Sequence, residues 1–187
     1  MSIQNKSEVE LVEERYARRM NAKHDRYNML NPSVWQGVLE RHRKILRIFG
    51  RFLEKPVAMT SVLEIGCGAG GNLLELLRMG FSPDLLIGNE LLPERMNAAQ
   101  KVLPSTCNLM AGDALMLNFP EPSFDIVYQS TVFSSLLDDD FQSKLASKMW
   151  SWVKPGGGVL WYDFTYNNPK IVRKITKNCP HFMKLYT

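Results

Sequence analysis

Val62-Leu63-Glu64-Ile65-Gly66-Cys67-Gly68-Ala69-Gly70-Gly71 is the stretch whose reading decides the fold of this chain. Three apolar residues and one acid read as a buried strand. Four glycines then crowd a sharp turn, and 72–79 reads as a helix. A strand feeding a glycine-rich turn at a helix N-terminus is a nucleotide cradle. Missing side chains admit a ligand to the backbone, and unsatisfied N–H groups face it. Two spacings overlap in the turn. Gly66, Gly68 and Gly71 fit G-x-G-x-x-G, the dinucleotide fingerprint, whereas Gly66, Gly68 and Gly70 fit G-x-G-x-G. A tight turn without any ligand would use the same residues.

Outward from the turn, the rhythm from Thr60 onward is strand, turn, helix, strand. Strands are predicted at 61–65, 85–89, 106–110, 124–129 and 158–164, and helices at 72–79, 93–102 and 138–153, with Pro93 suited to a first helical turn. This alternation predicts an α/β fold, a three-layer Rossmann-like parallel sheet with helices on both faces. Upstream, Pro32-Ser33 opens a long helix that Pro56 stops, with Ser33 as the expected N-cap. Trp35, Val38, Leu39, His42, Ile45, Leu46, Phe49 and Phe52 fall on its helical stripe, read as core packing. Residues 1 to about 30 are polar and charged. The expected division is therefore a helical segment over 1–56 and the ligand-binding domain over 57–187.

A chain of 187 residues is long enough for one domain with a substantial core. Its 45% hydrophobic and 22% charged content is that of an ordinary globular protein. No apolar run reaches bilayer-spanning length, and Met1-Ser2-Ile3-Gln4-Asn5-Lys6 lacks a secretory apolar region, so cytoplasm is the expected location. Cys67, Cys107 and Cys179 are odd in number and far apart, which argues against a disulfide framework and a zinc site. The net charge of +4 resides in the last segment: after Asp163 come Lys170, Arg173, Lys174, Lys177 and Lys184 and no acid. The rest of the chain is close to neutral, which weakens a nucleic-acid reading of the basic pI.

Three acids bear on the choice of nucleotide. Glu64 stands two residues before the first glycine, where a buried carboxylate needs a polar or cationic partner. A ligand carrying a cationic amino acid moiety and a sulfonium fits that need; a structural ion pair is the alternative. Glu90 ends the second strand about twenty residues beyond the glycines, where its two oxygens can accept both ribose hydroxyls, a need that a dinucleotide and other nucleosides share. Leu91 and Leu92 follow and can pack on an adenine face. Gly112-Asp113-Ala114 follows the third strand; Asp113 can accept from an adenine amino group and the Ala114 N–H can reach a ring nitrogen, although Gly-Asp is also common in plain turns.

Together these segments resemble the class I S-adenosylmethionine-dependent methyltransferases. The resemblance runs from Ser61 to Phe164 and rests on Glu64-Ile65-Gly66-Cys67-Gly68-Ala69-Gly70, Gly88-Asn89-Glu90, Gly112-Asp113-Ala114, Ser123-Phe124-Asp125-Ile126-Val127 and Val153-Lys154-Pro155-Gly156-Gly157-Gly158-Val159-Leu160. It implies S-adenosyl-L-methionine as cofactor. Glu64 and the glycines Gly66, Gly68 and Gly70 would hold the methionine part, and Cys67, Ala69 and Asn72 are further cofactor-binding candidates. Glu90 would hold the ribose, Leu91, Asp113 and Ala114 the adenine, and Gln129 would line the pocket at the end of the fourth strand. A dinucleotide-binding oxidoreductase remains the alternative enzyme, and a catalytically inactive methyltransferase-fold binding subunit the alternative without turnover.

The reaction implied is in-line displacement at a sulfonium methyl, in which alignment is the main task. Family members acting on small molecules often carry a His after the fourth strand. Here the segment reads Ser130-Thr131-Val132-Phe133-Ser134-Ser135-Leu136-Leu137, and it names no catalytic base. Tyr128-Gln129-Ser130-Thr131 also departs from the Asn/Asp-Pro-Pro-Tyr/Phe signature of members that methylate adenine or glutamine amino groups. The expected acceptor is accordingly a small molecule or a sugar hydroxyl or amine, not nucleic acid. The resemblance implies a lid in the N-terminal segment, with Tyr16, Arg19 and Tyr27 as candidates, and a loose charged arm is the alternative. Beyond the fifth strand, 165–187 offers a short helix over 170–177 but is too short for the family's antiparallel strand pair. The expectation is a truncated strand pair, leaving strand five as an exposed edge or an edge covered by a partner, including a second copy of the chain.

Overall fold

The computed structural model describes residues 6–20, 28–163 and 182–185. The chain divides into two compact units, Met1–Glu54 and Lys55–Thr187. The first holds helices α1 (Glu8–Met20) and α2 (Pro32–Phe52). Helix α1 lies in the stretch read only as polar and charged. Its start is a capping box: Glu10 N–H donates to Ser7 Oγ at 3.3 Å, and Ser7 N–H donates back to Glu10 Oε2 at 2.7 Å. Helix α2 begins two residues before the expected start. Asn31, not Ser33, is its N-cap and accepts from Ser33 N–H at 3.0 Å, which leaves Pro32 at the first helical position. Of the expected apolar stripe, Ile45 and Phe49 are buried, while Trp35, Leu46 and Phe52 are about half exposed. The stripe is wide, and only its centre line is covered. Tyr27 and the expected helix over 170–177 lie outside the described residues.

The second unit is built on a parallel sheet of β1 (Val62–Ile65), β2 (Leu86–Glu90), β3 (Asn108–Ala111), β4 (Phe124–Ser130), β5 (Val153–Tyr162) and β6 (Phe182–Leu185), in the order β3-β2-β1-β4-β5-β6. Helices α3 (Gly71–Arg78) and α4 (Pro93–Val102) connect β1 to β2 and β2 to β3, and α5 (Asp139–Ser151) connects β4 to β5. Parallel crossovers are right-handed. The chain steps away from β1 in one direction through α3 and α4 and in the other through α5, so the two sets cover opposite faces. Central β1 is buried along its whole length, and Leu73, Leu76, Met96, Ala99, Leu145 and Met149 cover the sheet from the helices.

Several boundaries moved for local reasons. Gly70, with φ +82°, caps α3, so that helix starts at Gly71. Asp138 caps α5 by accepting from Phe141 N–H at 2.7 Å and stays outside it. Strand β3 starts at Asn108, after Cys107 N–H closes a turn on Pro104 O at 3.0 Å. Strand β5 starts at Val153 because that residue pairs with Phe124 before a bulge; the ladder resumes at Ile126 with Gly158. At the bulge, a Cβ on Gly157 would lie 2.4 Å from Asp125 O, so only glycine lets the strands approach.

Strand five is not the sheet edge. Residues Val159 to Tyr162 pair in parallel with Phe182 to Leu185, and β6 takes the outer position. Among the described residues this single parallel strand stands where an antiparallel pair was considered. The edge is therefore one strand further out than expected.

Candidate functional site

The sheet reverses its direction of growth between β1 and β4, and ligands of open α/β sheets bind outside the carboxyl ends of the strands at such a point. The glycine turn lies there. Strand β1 delivers Gly66 with φ +66°, and Gly68 and Gly70 follow with φ +58° and +82°. Cys67 N–H donates to Asn89 O at 2.8 Å, which ties the turn to the end of β2. Close packing fixes the turn from three sides. A Cβ on Gly66 would meet Val132 Cγ2 at 2.5 Å, one on Gly70 would meet Leu103 Cδ1 at 2.8 Å, and one on Gly88 would meet Cys67 Sγ at 2.9 Å.

Glu90 is buried at the end of β2, 4% exposed. Its Oε2 accepts from Gly68 N–H at 2.7 Å, and its Oε1 accepts from Leu92 N–H at 2.9 Å. Each oxygen keeps a second lone pair, so both ribose hydroxyls can be accepted without breaking either bond. The Gly68 N–H, by contrast, is engaged by an acid and does not face outward for a phosphate. Glu64 is fully buried in β1, and its Oε1 accepts from Asn72 Nδ2 at 2.6 Å, joining the strand acid to the first turn of α3. Burial first, then the Glu64 carboxylate, then that of Glu90, push the Cys67 thiol above its ordinary range, with the Arg95 guanidinium opposing. The thiol stays protonated near neutral pH and is no nucleophile. The Glu64 carboxylate beside the turn favours a cationic ligand group there, whereas an acid in the place of Glu90 serves the ribose of either kind of nucleotide.

The loop after β3 is shaped by Asn89, whose Nδ2 donates to Met110 O at 3.1 Å and to Gly112 O at 2.9 Å. Gly112 N–H in turn donates to Glu90 O at 2.9 Å. Asp113 Oδ1 accepts from Leu115 N–H at 2.9 Å and caps the short turn Ala114–Met116, leaving Oδ2 for other partners. Ala114 is buried beneath it and Leu91 is half-buried. Gln129 is fully buried at the end of β4; its Nε2 donates to Tyr162 O at 3.3 Å and its Oε1 accepts from Val132 N–H at 3.0 Å. Its amide thus holds the β4 turn.

The structure forms two hydrogen-bonded groups at the turn, Asn72 on Glu64 and Gly68 on Glu90, with Cys67 tied to Asn89 and Asp113 following through Asn89 and Gly112. Sequence reasoning gave no role to Asn89, Arg95, Val132 or Asp163. The polar Asn89 in a buried strand was a signal that could have been followed; Val132 and Arg95 carry none, because their placement against Gly66 and Gly68 is a tertiary contact.

Residues 62–157 match the family model described as "Methyltransferase domain". The chain belongs to the methyltransferase-domain family. Among curated relatives, this methyltransferase domain is 29% identical over 116 residues to 2-methyl-6-phytyl-1,4-hydroquinone methyltransferase of Synechocystis, covering 60% of the chain and 35% of the relative. It is 28% identical over 127 residues to a tRNA N(3)-cytidine methyltransferase of Mus musculus, covering 64% and 32%. The chain thus spans about a third of the length of these relatives. In fold it is similar to phosphoethanolamine N-methyltransferase 1 of Haemonchus contortus, with TM-score 0.59 and 17% identity over 79% of this chain and 30% of that one. Among the described residues no helix is long and apolar enough to cross a membrane.

Proposed function

We propose that this chain transfers a methyl group from S-adenosylmethionine to a hydroxyl or amine of a small molecule or sugar. Family membership supports the cofactor and the reaction type. The observation that carries the reading within the site is the Glu90 carboxylate closed on Gly68 N–H, with Glu64 beside it. Glu90 suits a ribose and Glu64 a sulfonium-bearing amino acid, and the Gly68 N–H engaged by Glu90 is not offered to a pyrophosphate. Held by Glu90, Glu64, Asp113 and the glycine turn, S-adenosylmethionine would supply a methyl group on cationic sulfur, with a neutral thioether as its leaving group.

The chain's own residues bind and orient. Glu90 accepts the ribose hydroxyls. Glu64, held by Asn72, faces the cationic amino acid part. Asp113 and Ala114 read the adenine edge, and Leu91 packs on its face. Gly66, Cys67, Gly68, Ala69 and Gly70 bring backbone close to the ligand. Gln129 sets the end of β4 where the acceptor enters.

A methyl-transfer screen with radiolabelled S-adenosylmethionine tests the acceptor class. The panel holds aromatic and aliphatic amines, hydroxylated metabolites, sugars and tRNA. Label in a small molecule or sugar supports the reading. Label in tRNA alone would replace the acceptor, and no transfer by protein that binds the cofactor would point to a binding subunit.

A further inference from the structure

The turn after β4 is held far more firmly than its length requires. Thr131 has φ +60°, a conformation that a β-branched residue adopts only when its surroundings impose it. The restraints come from three elements. Thr131 N–H donates to Tyr162 O at 2.8 Å, across from the end of β5. Gln129 Oε1 accepts from Val132 N–H at 3.0 Å. Gln142 of α5 donates through Nε2 to Phe133 O at 3.1 Å and Leu136 O at 2.9 Å. Within the turn, Ser134 Oγ donates back to Thr131 O at 3.0 Å. A further restraint comes from a carboxyl side chain. Asp163, 7% exposed and directly following β5, accepts from Ser134 N–H through Oδ2 at 3.1 Å.

What this turn holds is Val132, the side chain that occupies the space beside Gly66. Gly66 is the first residue of the glycine turn, so a shift of Val132 is a shift of the cofactor cradle.

We propose that Asp163 is a positioning residue for the cofactor site: by accepting the Ser134 N–H it keeps the strained Thr131 turn in place and seats Val132 on Gly66. It does so as a hydrogen-bond acceptor, not as a charge that touches the ligand. The proposal rests on S-adenosylmethionine being the cofactor and is independent of the acceptor.

Three properties follow. Removing the acceptor weakens cofactor binding, an uncharged acceptor of the same shape restores it, and relieving the strain at Thr131 compensates for losing the clamp. Titration calorimetry with S-adenosylhomocysteine, beside thermal melting, reads all three. Asp163→Ala is expected to weaken binding at least tenfold while the protein stays folded. Asp163→Asn, whose amide oxygen still accepts from Ser134, is expected to stay within threefold of wild type. Asp163→Ala combined with Thr131→Gly is expected to regain part of the loss, since glycine holds positive φ without strain. Equal losses in Asp163→Ala and Asp163→Asn would overturn the proposal in favour of a direct charge contact. Unchanged affinity in a folded Asp163→Ala would overturn it outright. Should Asp163→Ala not fold, Val132→Ala tests the last link, with a fivefold or larger loss expected and unchanged affinity contradicting it. Failure of the wild type to bind S-adenosylhomocysteine would instead strike the cofactor reading.

Discussion

Glu90 does two jobs with one side chain. Its oxygens hold Gly68 N–H and Leu92 N–H, and their remaining lone pairs suit ribose hydroxyls. Removing it leaves two buried donors without their acceptor, which costs about 1–3 kcal/mol each if nothing else satisfies them. Glu90→Ala is therefore expected to lower stability in urea unfolding and to weaken S-adenosylhomocysteine binding at least ~10-fold, or about 1.4 kcal/mol. A folded Glu90→Ala with wild-type affinity would remove Glu90 from the site. Gly66 makes a complementary prediction. A side chain there meets both positive φ and Val132 Cγ2 at 2.5 Å, so Gly66→Ala should cost about 2 kcal/mol or more. Adding Val132→Ala removes the steric part and should recover some of that stability, whereas purely additive losses would show that the two do not touch.

At the scale of elements, the opposite end of β4 is an anchor, distant from the chemistry. Asp125 Oδ1 accepts from Lys55 Nζ at 2.6 Å; its Oδ2 accepts from Ser61 N–H at 2.8 Å and Ser61 Oγ at 2.7 Å, with Lys154 Nζ 3.6 Å away. Burial alone would raise this carboxyl, but Lys55, the two Ser61 donors and Lys154 outweigh it and hold it at about 2. The unfolded value is about 3.9. A lowered folded value means stability that is present above the unfolded value and lost as pH falls toward the folded one. Because Lys55 is nearly half exposed, the contribution is nearer 1 than 2 kcal/mol, by roughly 1.4 kcal/mol per unit reduced for screening. Acid unfolding followed by circular dichroism should show Asp125→Asn less stable than wild type at neutral pH and closing that gap between about pH 4 and pH 2. A gap independent of pH would assign the loss to packing.

The same scale shows what was legible in advance. The first five strands and helices α3 to α5 announced themselves through apolar runs, glycine turns and Pro93, because each is a local signal, whereas β6 did not. That Glu90 would come up to the glycine turn was readable from its place at the end of the strand after it, and the structure closes it on Gly68 N–H. The Val153–Phe124 pairing before the bulge was hidden behind Pro155 and three glycines, which read as a turn. Helix α1 was masked by its charge, although Ser7 and Glu10 already spelled its capping box. Val132 on Gly66 and Asp163 on Ser134 join residues 66 and 29 positions apart, and no local pattern encodes such contacts.

For the whole molecule, family membership and a six-stranded parallel sheet with its switch point at the glycine turn make the second unit a methyltransferase domain. Glu64 and the Gly68 N–H engaged by Glu90 define the central claim: the cradle is built for a cationic nucleoside and not for a dinucleotide. Isothermal titration of the intact chain with S-adenosylhomocysteine, repeated in the presence of excess NAD, tests it most directly. The account predicts saturable one-to-one binding that NAD leaves unchanged. Binding of NAD by a folded chain that takes up no S-adenosylhomocysteine would contradict it.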